Sequence, residues 1–160
     1  MSETVNILIA GVGGQGVLRA SQVLSNALVR HGYDVKQSEV HGMSQRGGSV
    51  VSEVRYGDDV RSPLMPYAAA DFVVSLEEKE GLRAEPRLRP DSGKLIDVPD
   101  DLLAKLADPR DRNMAALGRL SRHLDVDVET WIASIRHCMP AKTVDNNLAA
   151  FEAGRSFNSI

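Results

Sequence analysis

Two short stretches of this 160-residue chain combine residue types that could do chemistry. Gly11-Val12-Gly13-Gly14-Gln15-Gly16 has the G-x-G-x-x-G spacing and lies between an apolar, β-branched run and a segment of helical periodicity. In that setting Gly11, Gly13, Gly14 and Gly16 allow close backbone approach, while the N–H groups and helix dipole, beside Gln15, favour a phosphate or other anion. The same glycines could equally serve tight strand–helix packing, and spacing alone does not choose between the two. The second stretch, His41-Gly42-Met43-Ser44-Gln45-Arg46-Gly47-Gly48, is too polar and glycine-rich for the interior of an element and reads as a loop. His41 could exchange protons near neutrality, Arg46 could hold a carboxylate or phosphate, and Ser44 and Gln45 could supply hydrogen bonds, with Gly47 and Gly48 completing the loop. A lone loop histidine or arginine is more often an ordinary solvated group, so the cluster carries the reading rather than any one member.

The elements that must position these stretches follow from periodicity. Val5 to Ala10 reads as a strand buried on both faces, and Gly14 to His31 as a helix stopped by Gly32. Asp34 to Val40 reads as a second strand completing a βαβ unit. This predicts an α/β, Rossmann-like fold: an open, mostly parallel sheet with flanking helices. Both chemical stretches then follow strands, emerge at the carboxyl edge and frame one cleft. Ser49 to Tyr56, a turn at Gly57-Asp58 and a run at Asp59-Val60-Arg61 predict a hairpin. Asp71 to Leu76 reads as a strand, Glu77 to Leu88 as a charged helix ended by Pro90, and Leu95 to Val98 as a strand. A helix opens at Pro99-Asp100-Asp101, and helical spacing recurs around 113–123, 127–137 and 144–155. Trp131, Ile132 and Ile135 fit a core-facing stripe. With no repeat or linker, residues 1–160 read as a single domain.

Composition excludes several function classes. At 42% apolar residues and a formal charge of −3, the chain reads as globular, without the basic signature of nucleic-acid binding. No apolar run approaches the roughly 18 residues of a membrane-spanning helix, and no signal peptide is evident, so a cytoplasmic protein without membrane contact is expected. Cys138 is the only cysteine, so the chain alone can build neither a disulfide nor a cluster of iron and sulfur. His31, His123 and His137 lack ligand-spaced companions, and no metal site is assigned. A complete NAD or FAD site would also need an acid near the end of the second strand, about 20 residues beyond the last glycine. Lys36 and Gln37 occupy that spacing and Glu39 comes slightly late, which disfavours such a site.

One family unites these features. The Gly11–Gly16 turn, the run Ser38-Glu39-Val40-His41-Gly42-Met43-Ser44-Gln45-Arg46-Gly47-Gly48-Ser49-Val50, and then Ser62-Pro63-Leu64 resemble the beta subunit of indolepyruvate:ferredoxin oxidoreductase. That subunit is equivalent to the gamma domain of other 2-oxoacid:ferredoxin oxidoreductases. Ala70-Asp71, Glu77, Asn113, Leu117-Gly118 and Asn147-Leu148-Ala149-Ala150-Phe151 extend the resemblance over nearly the whole chain. The resemblance implies oxidative decarboxylation of a 2-oxoacid, an arylpyruvate such as indolepyruvate, to an acyl-CoA. Electrons would leave through iron–sulfur clusters to ferredoxin. It implies further that thiamine diphosphate, magnesium and 4Fe-4S clusters sit on a large alpha subunit, that coenzyme A is a co-substrate, and that this chain covers the active-site region and shapes a coenzyme A or substrate path. The glycine turn and the His41–Gly48 loop are the candidate contacts, with Arg46 the best anion partner, and catalytic residues are not assigned. The isolated chain is expected to be inactive, with self-association open to it.

Members of that family usually carry a longer segment before the region beginning near Val98, which leaves substrate choice and standard activity open. Two other readings therefore stand beside the first: a stand-alone NAD- or FAD-binding oxidoreductase, and a noncatalytic scaffolding module. An obligate subunit should expose a sizeable apolar patch near the carboxyl edge of the sheet.

Overall fold

In the computed structural model the described residues are 3–41 and 48–158. Strand β1 (Val5–Val12) leads through the glycine turn into helix α1 (Val17–His31), followed by β2 (Asp34–His41) and β3 (Ser49–Gly57). Then come β4 (Phe72–Ser75), α2 (Glu78–Ala84), a 3-10 turn at Glu85–Arg87 and β5 (Lys94–Ile96). Four helices complete the chain: α3 (Asp100–Leu103), α4 (Arg112–Ser121), α5 (Val128–Cys138) and α6 (Val144–Ser156), with a 3-10 turn at Pro109–Asp111 before α4.

The strands form one open mixed sheet in the order β2-β3-β1-β4-β5. β1, β4 and β5 pair in parallel, whereas β3 runs antiparallel to both neighbours, β1 and β2. Four of the five strands thus share one direction, and the expected α/β architecture holds. What periodicity did not reveal is the adjacency: β3 is inserted between β1 and β2, so the β1-α1-β2 unit is split. The hairpin also lies elsewhere than expected. Residues 59–61 form no strand; instead β2 and β3 are the two arms, with Asp34 opposite Gly57 and His41 opposite Val50, and the polar stretch joins them. The physical reason is register: an eight-residue ladder between β2 and β3 satisfies far more backbone groups than three residues after Gly57 could. The charged helix is shorter than expected as well. It gives way to the 3-10 turn at Glu85 because Pro86 lacks the N–H that a continuing helix would need.

The two faces of the sheet are covered unequally. One face packs Ile7, Ile9, Val54, Tyr56, Val74 and Ile96 against α1, α4, α5 and α6, whose Leu24, Leu28, Leu117, Trp131, Ile135 and Phe151 are all buried. The expected stripe on α5 is present, with Trp131 and Ile135 fully buried and Ile132 partly so. α4 and α6 cross so closely that a Cβ on Gly154 would collide with the Ala115 carbonyl, and one on Gly118 with that of Phe151. The other face has a small cluster of Leu8, Ala10, Met65, Ala70, Val73 and Ala84, covered by α2 and the segment of 58–71.

Candidate functional site

The carboxyl ends of β1 and β4 lie side by side, and the helices that follow them depart to opposite faces of the sheet, α1 to one and α2 to the other. This is a topological switch point, where open α/β sheets form a crevice. The glycine turn meets the downstream end of the polar stretch here. Val12 at the end of β1 pairs with Ser49 at the start of β3, and the Gly13 N–H donates to the Gly48 carbonyl at 3.0 Å. The glycine turn is therefore bonded directly to the downstream stem of the polar stretch.

Within the turn, Gln15 is occupied by the backbone. Its side-chain oxygen accepts the Val12 N–H at 2.9 Å, while its own N–H donates to the Val12 carbonyl at 3.1 Å. Among the described residues Gly14 and Gly16 N–H have no acceptor, so they are the turn's available donors. Gly14 (φ 89°) and Gly16 (φ 80°) both hold left-handed backbone. At Gly16 a second constraint applies: a Cβ would collide with the Asn113 side chain, whose Nδ2 donates to the Gly16 carbonyl at 3.2 Å. Packing and ligand approach, left undecided by the spacing, thus divide along the turn. Gly11 and Gly16 are needed for packing, the former because a Cβ would lie 2.9 Å from Val17 Cγ2, while a Cβ on Gly14 would meet nothing within 4 Å.

His41 ends β2 opposite Val50. Ser44, Gln45, Arg46 and Gly47, together with Gly42 and Met43, lie outside the described residues. Their downstream anchor is visible. Ser49 Oγ donates to Glu80 Oε2 at 2.9 Å, and the buried Glu80 carboxylate also accepts from Arg83 at 3.0 Å. Glu80 and Asn113 are positioning residues that the sequence reading did not single out for these contacts. Each lies in a helical segment distant in sequence from the loop it holds, and only a buried polar side chain within an amphipathic helix could have flagged it.

Beside the turn, after β4 and β5, lies a cleft of about 560 Å³. Leu76 connects the two: its N–H donates to the Ala10 carbonyl and its side chain lines the cleft. Glu77, Glu78, Asp97 and Asp100 line it against one cation, Arg112, whose Nη1 donates to the Leu76 carbonyl at 3.3 Å. Glu77 caps α2, and the Glu80 N–H, followed by smaller backbone and charge effects, holds its carboxyl below the ordinary range. Four carboxylates against one guanidinium make this wall unsuited to an anion, which would be better met at the glycine turn. Leu82 and Leu95, both partly exposed, give the cleft an apolar side, and Val40 at the end of β2 is also exposed.

The requirements of a dinucleotide site are not met. Because β3 intervenes, the end of β2 stands two strand spacings, roughly 10 Å, from β1 instead of one. Glu39 is exposed and accepts a hydrogen bond from Gln37 Nε2 at 3.1 Å. Nor do the described residues bring together three His, Cys, Asp or Glu side chains able to hold a metal ion. Burial pushes the Cys138 thiol upward, against a smaller opposing effect of Arg19, as expected for a nonreactive thiol. No described helix is long and apolar enough to cross a membrane.

The pyruvate ferredoxin/flavodoxin oxidoreductase family matches residues 6–157. The indolepyruvate oxidoreductase subunit IorB of Pyrococcus horikoshii is 53% identical over 78 residues, which are 49% of this chain and 39% of that protein. The matched stretch therefore spans well under half of that relative. The subunit of the same name from Methanothermobacter thermautotrophicus is 29% identical over 187 aligned positions, covering 93% of this chain and 95% of the relative. Since 187 positions exceed the 160 residues here, the relative carries residues this chain lacks. The pyruvate oxidoreductase subunit PORC of Thermotoga maritima has the same fold, with a TM-score of 0.76 at 22% identity over 96% of each chain. Split sheet, switch-point turn and sequence agree, and the chain belongs to the pyruvate ferredoxin/flavodoxin oxidoreductase family.

Proposed function

We propose that this chain, as a single gamma-type domain, is the small subunit of a cytoplasmic 2-oxoacid:ferredoxin oxidoreductase, with an arylpyruvate such as indolepyruvate as substrate. Its partner is a large alpha subunit carrying thiamine diphosphate, magnesium and 4Fe-4S clusters. With a single cysteine this chain alone cannot ligate a 4Fe-4S cluster, and no reaction step is assigned to its residues. Their part is to bind and exclude. Gly14 and Gly16 offer N–H groups, and Arg46, with His41, Ser44 and Gln45 beside it, supplies the charge for a carboxylate or for a phosphate of coenzyme A. The acidic cleft next door repels such groups and so directs them toward the turn.

The observation that carries this reading is the Gly13–Gly48 hydrogen bond, which joins two otherwise separate motifs at one crevice. The partly exposed Leu82, Leu95 and Val40 near the same edge support docking of the large subunit there. The test is to co-express the chain with its candidate thiamine-diphosphate subunit and to follow acceptor reduction by arylpyruvates and coenzyme A. Activity should need both chains. Activity of the large subunit alone, or tight NAD or FAD binding by this chain, would overturn the reading.

A further inference from the structure

The opposite edge of the sheet holds a second concave site that the switch point does not use. α4 begins at the carboxyl edge, where Arg112 reaches the Leu76 carbonyl, and ends at the amino edge, where the His123 and Phe72 rings lie 5.5 Å apart. There a cavity of about 340 Å³ is lined by Ile96, Arg119, Arg122, His123, Phe157 and Asn158. Among the described residues two guanidinium groups, an imidazole and an amide face it, and no carboxylate does.

Further cations crowd the same place. Lys105 Nζ stands 5.4 Å from the centre of the Phe157 ring and the Arg119 guanidinium 5.7 Å from it. Burial, and then the charges of Lys94, Arg122 and Arg119, lower the pKa of His123 below its usual 6.5. Against this group stands Asp97, which pairs with Arg119 at 2.8 Å. Among the described residues Arg122 bonds a neutral group, the Phe157 carbonyl, at 3.0 Å. Those two arginine tethers explain why α4 holds β5 and the end of α6. They do not explain why Lys94, Lys105 and His123, which form no ion pair among the described residues, gather beside them in a chain whose formal charge is −3. Like charges so close are unfavourable unless an anion joins them.

We propose that this cavity binds a small, multiply charged anion of phosphate or carboxylate type, held by Arg119 and Arg122 with His123 as a further hydrogen-bond donor. Its volume falls at the lower end of small-molecule sites, which favours a compact metabolite. The concave lining favours the same choice over the flat acidic face of a protein. The site is independent of the function proposed for the glycine turn, and neither stands or falls with the other.

The test is an NMR titration of the full chain with inorganic pyrophosphate, and separately with citrate, at an ionic strength held constant with sodium chloride. The His123 ring resonances should shift saturably with at least one probe, and a preference for either one separates phosphate from carboxylate recognition. Arg122→Gln should weaken that binding roughly tenfold or more, the loss of one charge-assisted hydrogen bond. Lys105→Gln, which breaks no hydrogen bond to the backbone, should weaken it by a smaller factor and serves as the measure if Arg122→Gln does not fold. Shifts that never saturate with either probe, or that are equal in wild type and Lys105→Gln, would overturn the proposal.

Discussion

The two faces of this sheet solve the same problem, covering apolar strands, in different ways. On one, four helices bury Trp131, Phe151, Leu117 and Ile135 in a continuous apolar core. On the other, a seven-residue helix and an irregular crossing segment cover a handful of side chains, and polar groups tie them down. Arg55 donates to the Asn6 side chain and to the Ser62 and Leu64 carbonyls, Arg89 pairs with Asp71, and Arg87 pairs with Glu53 at 2.6 Å. A helical face derives its stability from area and close approach, while a thin face depends on a few directional bonds. Both faces reach the switch-point cleft, the thin one through Glu77 at the start of α2 and the thick one through Arg112 of α4, so they differ in how they are held and not in whether they adjoin the site.

This contrast can be broken most sharply on the thick face. In Gly154→Ala the new Cβ meets the Ala115 backbone, not a side chain that could turn away, so α4 and α6 must separate. A loss of about 3 kcal/mol is expected in urea denaturation, at the upper end of overpacking effects. A loss below about 0.5 kcal/mol would mean the helix pair is not close-packed. On the thin face, Glu53→Gln leaves the mostly buried Arg87 guanidinium without its carboxylate. A smaller loss, roughly 2 kcal/mol, should follow in the same assay, since both partners retain some exposure. An equal or larger loss there would erase the distinction between the faces.

The smallest effect concerns pH. Because the folded-state pKa of His123 lies below 6.5, the unfolded chain takes up that proton first as the pH falls. Stability is therefore full above that value and declines as pH drops through it toward the folded pKa. Between about pH 7.5 and 5.5 the wild type should lose more thermal stability than His123→Gln. Equal losses would remove the basic pocket from the account.

Much of this was legible in the sequence, and what was not has a common cause. The buried run at Val5 and the helix to His31 follow from local periodicity, as do α4, α5 and α6. Local signals also gave the glycine turn its place between strand and helix. The insertion of β3 between β1 and β2 is a long-range pairing, and nothing in Ser49 to Gly57 states which neighbour it will choose. The hairpin was misplaced because Gly57-Asp58 carries a local turn signal, whereas the true arms are separated by the polar loop itself. Asn113 and Glu80, which brace the two loops, sit in helical segments whose periodicity flags the helix but not the loop it grips. The closeness of the glycine turn to Gly48 was readable in that each stretch follows a strand, although the antiparallel β3 that links them was not.

The most direct test of a shared site is a double-mutant cycle in the reconstituted complex, with Gly14→Ala and Arg46→Ala and the KM for coenzyme A as readout. Gly14 is chosen because its Cβ would meet nothing, so the turn's backbone is perturbed without a packing clash. If turn and loop hold one anion, the two substitutions should be coupled by about 1 kcal/mol or more. Effects that add to within about 0.5 kcal/mol would show that the two motifs act apart and would contradict the account.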